Sequence, residues 1–149
     1  MTNTVIRPIQ QSDYENWDRL FEAYAQFYKM DTDIDKRKVV WKWLFDEAHV
    51  TNCVVADVDG KIAGIAHFRS MPSQLRAAEI GFLDDLYVDD AYRCKGIARK
   101  LIRHVEEIGK QKGWSCLRWL TAEDNYHARS TYDRLAHKTE FLLYNMNID

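Results

Sequence analysis

The feature that most constrains this chain is a change of period near its middle. Residues 79–88, EIGFLDDLYV, read as a strand. After a short turn the pattern turns helical, with Leu101, Ile102, Val105 and Ile108 on one side. That helix stops at Lys112-Gly113, with cations in its last turn and a glycine at the expected C-cap. Residues 117–122, LRWLTA, then read as a strand again. A strand, a crossover helix and a strand make a parallel pair, because a tight hairpin can only join antiparallel strands. Just upstream, CVVADV and IAGIAHFR flank Asp59-Gly60, a two-residue hairpin turn. The expected fold is therefore mixed α/β: a mostly antiparallel sheet with a central parallel strand pair, flanked by helices.

The remaining elements fit around that unit. Residues 5–8 form a short strand candidate, and Ser12 opens a helix with Glu15 as its capping-box partner. Tyr14, Trp17, Phe21, Tyr24 and Tyr28 recur at spacings of three and four, an aromatic stripe that reads as core. A second helix is expected over residues 35–48, with Val39, Val40, Trp43 and Leu44 on its apolar side. Residues 71–76 read as a loose connection. Asn125 caps a last helix to about Leu135, and residues 140–148, EFLLYNMNI, close the chain as a strand. With 149 residues, 46% of them hydrophobic, and no repeats or linkers, a single domain over 1–149 is expected.

Charge and cysteine usage exclude several roles. There are 21 Lys and Arg against 23 Asp and Glu, so no basic field exists for nucleic acid. Cys53, Cys94 and Cys116 form no CxxC or CxxH pair and no even disulfide framework, and the five histidines lack ligand spacing. No metal is expected, and reduced thiols point to the cytoplasm. No stretch approaches membrane-spanning length and the first residues hold no apolar signal core, so no membrane partner is expected.

Residues 84–98, DDLYVDDAYRCKGIA, carry the chemistry. A helix start leaves backbone N–H groups unpartnered and adds partial positive charge. Gly96 has no side chain to keep an anion from those amides, Ala98 is small, and Arg93, Lys95 and Arg99 add full charges. Such a loop suits a phosphate or pyrophosphate; a solvated cationic helix start is the plainer alternative. Neither GxGxxG nor GxxxxGK[ST] is present, which argues against a Rossmann cofactor or a Walker nucleotide.

Arg93-Cys94-Lys95-Gly96-Ile97-Ala98 resembles the R/Q-x-x-G-x-G/A signature of the GNAT N-acetyltransferases. LDDLYVDDAYR before it and NYHARSTY after it resemble that family's flanking strand and its Asn-x-x-Ala-x-x-x-Tyr segment. The likeness extends through nearly the whole chain in element order and is nearest to the diamine acetyltransferases and the yeast histone-acetyltransferase-like small-amine enzymes. It implies acetyl-CoA as co-substrate, with the amides of Cys94, Lys95, Gly96, Ile97, Ala98 and Arg99 around its pyrophosphate. It also implies main-chain contacts from Leu86 and Val88 to the pantetheine arm, and Asn125 and Ala128 on the cofactor's other side. The sequence departs from the family at Cys94, where glycine is common, and after Tyr132, where Gly-Phe is usual.

Tyr132 matches the family residue near the thioester sulfur. An unperturbed phenol is protonated at neutral pH, with a pKa of about 10, and can donate to a leaving thiolate. Asn125, Ala128 and Tyr132 fall at i, i+3 and i+7, one helix face. The resemblance places an acidic substrate residue at Asp84, able to hold an ammonium group or relay its proton. Asp85 is its strand neighbour and faces the other way unless a bulge intervenes. Asp31, Asp33 and Asp35 lie between the first two helices; facing the cleft they would favour cationic acceptors, and otherwise they are a solvated loop. The expected activity is acetyl transfer to a primary amine (small amine, polyamine or amino acid) by direct attack in a ternary complex. A protein-tail acetyltransferase and a non-catalytic acyl-CoA-binding module are the alternatives. The resemblance and the closing strand suggest a homodimer.

Overall fold

A computed structural model describes residues 2–148. Five strands, β1 (Thr4–Pro8), β2 (Asn52–Val58), β3 (Lys61–Ser73), β4 (Ala78–Val88) and β5 (Leu117–Trp119), form one sheet in sequence order. The first four are antiparallel neighbours, and β4 and β5 are parallel. The parallel pair lies at one end of this sheet, because residues 140–148 form no strand. The hairpin turn is as expected: Asp59 and Gly60 both take positive φ, the two left-handed residues that a twist-matched turn needs. Residues 71–73, expected in a loose connection, instead extend β3, and the turn follows at residues 74–77.

Helices α1 (Tyr14–Phe27) and α2 (Ile34–Leu44) cover one face of the sheet, and α3 (Ile97–Lys112) covers the other. On the α3 side, Leu101, Ile102 and Val105 pack on Val54, Ala56, Ala66 and Phe68. Trp114 wedges between α3 and β4, where an added Cβ at Gly81 or Gly109 would overlap its indole; its Nε1 donates to Ser70 Oγ at 2.9 Å. On the α1 side, Trp17 and Leu20 are fully buried against Cys53, Val55, Ile62 and Ile65.

Two helix details differ from expectation. The first helix is preceded by a 3-10 turn, Gln11–Asp13, and Asp13 rather than Glu15 closes the start by accepting from the Gln10 amide at 2.8 Å. Asp13 is itself buried and held by Arg7 at 2.8 and 3.0 Å. In α2 the inward face carries Arg37, Val40, Trp41 and Leu44, while Val39 and Trp43 are exposed. Arg37 is drawn in because Asp18 of α1 meets its Nε at 2.6 Å.

Candidate active site

The site begins with a register change in β4. His67 pairs with Asp85 and Phe68 with Leu83, so Asp84 is an extra residue, a β-bulge. Before the bulge Leu83 packs toward α3; after it Leu86 and Val88 do, so the alternation shifts by one. Both carboxylates therefore turn toward the α1 side, Asp84 to Arg69 and Asp85 to His67. At the same level β5 stops pairing: its last partner is Leu83, opposite Trp119. Past that point β4 faces a cleft lined by Tyr24, Tyr28, Leu83, Asp84, Leu86, Trp119, Leu120 and Tyr132.

Asp84 is half-buried. Both its oxygens accept from Arg69 Nε at 3.1 Å. Burial raises its carboxyl above the ordinary value, against the pull of Arg69. Asp85 belongs to a buried chain of donors. His67, 1% exposed, has Nδ1 2.8 Å from Asp85 and Nε2 2.9 Å from the Trp17 indole. Burial opposes the imidazolium, whereas Cys53 and Asp85 favour it. The indole N–H decides for the neutral ring, because it can only donate and Nε2 must therefore accept. Nδ1–H then donates to Asp85, and burial together with Asp85 holds the Tyr24 phenol well above its ordinary range.

Tyr132 lies on α4 (Tyr126–Leu135), with its ring edge-on to Trp119 at 5.5 Å. Burial, with Tyr28 nearby, pushes its phenol up to about 12, so it is a proton donor throughout the neutral range. Asn125 precedes this helix, and its Nδ2 lies 3.4 Å from Tyr28 Oη and 3.3 Å from Thr121 Oγ1. Asn125, Ala128 and Tyr132 are all partly buried, which fits a shared inward face.

The loop sits at the far end of the unpaired half of β4. Gly96 is the N-cap of α3 in the left-handed conformation, φ 77°, and nothing lies within 4 Å of where its Cβ would be. Cys94 is also left-handed, φ 63°, at the position where the resemblance expected glycine. Among the described residues, the amides of residues 94–99 find no backbone acceptor; the first helical bond is Lys100 N–H to Gly96 C=O at 3.1 Å. Cys94 Sγ lies 3.9 Å from His127 Nε2, which sets the loop against the first turn of α4. Arg93 is less free than its sequence position suggests. Its Nε donates to the Val88 carbonyl at 3.2 Å, Asp90 pairs with it at 3.0 Å, and the guanidinium lies over Phe27 and Tyr87. It braces the loop and occupies the carbonyl of Val88, whose main-chain groups the resemblance sets toward a pantetheine arm.

A loop of free amides, an unpaired strand edge and a helix bearing a protonated tyrosine thus converge on one cleft. The acetyltransferase (GNAT) family model matches residues 17–137. The chain belongs to this family. A D-amino-acid N-acetyltransferase of Saccharomyces cerevisiae, HPA3, is 28% identical over 145 residues, 96% of this chain and 90% of that one. The thialysine N-epsilon-acetyltransferase of Bos taurus is 29% identical over 147 residues, 91% of this chain and 84% of that one. The aminoglycoside N-acetyltransferase AAC(6')-Iy, solved in complex with CoA, shares the fold at a TM-score of 0.86 and 19% identity, over 99% of this chain and 96% of that one. A GNAT acetyltransferase uses acetyl-CoA, and the chain is an N-acetyltransferase.

Five cleft residues were not singled out from sequence as site residues: Tyr24, Tyr28, Leu83, Trp119 and Leu120. The available signal was the end of the α1 stripe, where Trp and Phe give way to Tyr at positions 24 and 28 and hydroxyls replace purely apolar tips. Asp33, considered as an acceptor residue, instead caps α2 by accepting from the Lys36 amide at 2.8 Å. Among the described residues, no three His, Cys, Asp or Glu side chains gather as metal ligands would.

Proposed function

We propose that this chain transfers acetyl from acetyl-CoA to the primary amine of a small molecule, by direct attack in a ternary complex. The observation that carries the proposal is the convergence of Asp84, Tyr132 and the unpaired edge of β4 on one cleft, with the free amides of residues 94–99 at its end. Acetyl-CoA supplies an acetyl group already activated as a thioester. The amides of Cys94, Lys95, Gly96, Ile97, Ala98 and Arg99 hold its pyrophosphate, and the main chain of Leu86 aligns the pantetheine arm. Val88 contributes less to that alignment, because its carbonyl is shared with Arg93. Asn125 and Ala128 flank the cofactor from α4.

Attack requires a neutral amine. Asp84, with its carboxyl raised by burial, receives the ammonium group and takes up its proton, directly or through water. The amine nitrogen then bonds to the acetyl carbon, the C–S bond breaks with its electron pair on sulfur, and Tyr132 gives its proton to that sulfur; the acylated nitrogen releases its remaining extra proton to water, which re-protonates the Tyr132 phenolate. Asp85 stays outside this chemistry, engaged with His67.

The acceptor class follows from what stands beside Asp84. Arg69 spends Nε on Asp84, its side chain is over a third exposed, and its guanidinium lies over the Phe82 ring. Asp84 and Arg69 together match an amine and a carboxylate on the same molecule. Two relatives are named for such substrates, a D-amino acid and thialysine. The chain acts in the cytoplasm, where its three free cysteines stay reduced, and as a homodimer.

Release of free CoA across D- and L-amino acids, thialysine, diamines and a lysine-bearing peptide tests the reading. Amino acids should be turned over best. No release with any amine would overturn acetyl transfer, and turnover of diamines alone would remove Arg69 from acceptor binding. Tyr132→Phe should lower kcat roughly 10²–10⁴-fold while leaving CoA affinity near parental. With the phenol at about 12, kcat should show no alkaline loss from this group below about pH 11. A kcat equal to the parent's would take Tyr132 out of the mechanism.

A further inference from the structure

The first half of α3 reads IARKLIRHV, and its side chains divide between two faces. Leu101, Ile102 and Val105 turn into the core, while Arg99, Lys100, Arg103 and His104 turn away from it and line a groove. Arg103 follows Arg99 by one turn and His104 follows Lys100, so the four form a single stripe. The groove is open and holds about 560 Å³, the size of a small-molecule site. Thr4 and Ile6 of β1 form its other wall, and Gly96 lines the end nearest the cofactor loop.

Helix stability does not account for this charge. The helix dipole puts partial positive charge at an N-terminus, so cations in the first turns oppose it and anions favour it. α3 has no acidic residue in its first turn, and among the described residues Arg99 and Lys100 form no ion pair. Arg103 has one partner, Glu106, met through Nη1 at 3.0 Å, which leaves Nε and Nη2 for another. In a chain of net charge −2, three cations and a histidine along one wall make a concentrated positive field. Such a wall suits an anion carried in by a ligand.

Continuity identifies the ligand. Gly96 belongs both to this groove and to the run of amides assigned to the pyrophosphate. Acetyl-CoA carries a further anionic group, the 3'-phosphate of its adenosine. As a phosphate monoester it bears about −1.5 to −2 charge at neutral pH and has three strong acceptor oxygens. From Gly96 to Arg103 the helix rises about 10 Å, and its side chains lean back toward its N-terminus. The Lys100 and Arg103 head groups thus reach back toward the loop, to the separation of two phosphate groups across one ribose. Ile6, packed against the core, offers the adenine an apolar surface.

We propose that this groove is the 3'-phosphate subsite of the cofactor, with Arg99, Lys100 and Arg103 on the phosphate and Thr4 and Ile6 beside the adenosine. The chain then selects CoA over its 3'-dephospho form. This subsite rests on the reading that the pyrophosphate of acetyl-CoA lies on the amides of residues 94–99.

Calorimetry on the parental chain compares CoA with 3'-dephospho-CoA, which keeps the pyrophosphate and the pantetheine arm. Dephospho-CoA should bind roughly 10–100-fold more weakly, having lost the charge-assisted hydrogen bonds to one phosphate. Lys100→Gln and Arg103→Gln should each weaken CoA by about 10-fold and leave dephospho-CoA nearly unchanged. Because both side chains oppose the dipole from an exposed face, the thermal midpoint of each variant should hold or rise. Equal affinity for the two cofactors in the parental chain would overturn the subsite and leave acetyl transfer standing. A variant that weakens both cofactors alike would move its cation to the pyrophosphate, and one that melts earlier would assign that cation to the helix. Failure of CoA itself to bind would overturn the acetyl-transfer reading and this subsite with it.

Discussion

Two helices of this chain begin in opposite ways. α2 starts with Asp33 extended and its carboxylate on the Lys36 amide, so its first turn is satisfied from within. α3 starts with Gly96 in the left-handed conformation, no side chain reaches back, and among the described residues the amides of residues 94–99 find no backbone acceptor. Both starts carry charge, but of opposite sign: Asp33 and Asp35 at one, Lys95 and Arg99 at the other. An acidic cap completes a helix for stability, whereas a glycine start with cations around it turns the same backbone groups toward an external anion. The comparison sets a helix end that serves the fold beside one proposed to serve binding.

Four substitutions test that separation. The largest effect is expected from Gly96→Glu, which sets a carboxylate and a strained backbone where the amides converge. A charge-assisted hydrogen bond contributes about 1.5–3 kcal/mol, so losing even one with added repulsion should weaken CoA binding by about 100-fold or more. Calorimetry on folded protein measures it, and Gly96→Ala separates strain from charge: alanine adds the strain alone and should keep most of the affinity. Unchanged affinity in Gly96→Glu would erase the distinction between the two helix starts.

Asp33→Ala should cost about 1 kcal/mol of stability in denaturant unfolding, the usual cost of losing an acidic cap, and leave CoA affinity untouched. A fall in CoA affinity would tie α2 to the cofactor and blur the contrast. The smallest effect belongs to Cys94→Gly. A left-handed backbone costs a residue with a side chain about 1–2 kcal/mol, while glycine gives back about 0.5–1 through the freer unfolded chain. Thermal unfolding should therefore register a net gain of under about 1 kcal/mol. A loss would mean that the Cys94 side chain, beside His127, contributes more than its strain costs.

Local signals made the cofactor side legible in the sequence. Glycine at a helix start with cations beside it is a signal between close neighbours along the chain, so Gly96 and Lys95 stand out from the residues alone, whereas Leu86 enters only through the family resemblance. Tyr132 was named through the family resemblance, and helix periodicity puts it on the face of Asn125 and Ala128. What depended on distant partners was harder. Arg37 looks polar on a helical wheel, so the wheel points Val39 and Trp43 inward; Asp18, nineteen positions earlier, and Glu22 make burial of Arg37 favourable. Tyr24 and Tyr28 share one stripe with Trp17, which is fully buried, and the split between β4 and β5 that admits them is a matter of pairing rather than of period. Residues 140–148 show the same limit: their alternation signals a strand, but a strand exists only where another edge meets it.

The extra residue at position 84 makes the length of β4, and not only its composition, a functional quantity. A turn such as residues 74–77 can gain or lose a residue at the surface with little consequence. One residue removed from the bulge would restore unbroken alternation. Every side chain on one flank would then exchange inside for outside, leaving Leu86 and Val88 out of the α3 core or Leu83 out of place beside Trp119. Divergence in this chain is therefore free to change letters along β4 but not to change its count, and insertions or deletions are confined to the loops around it.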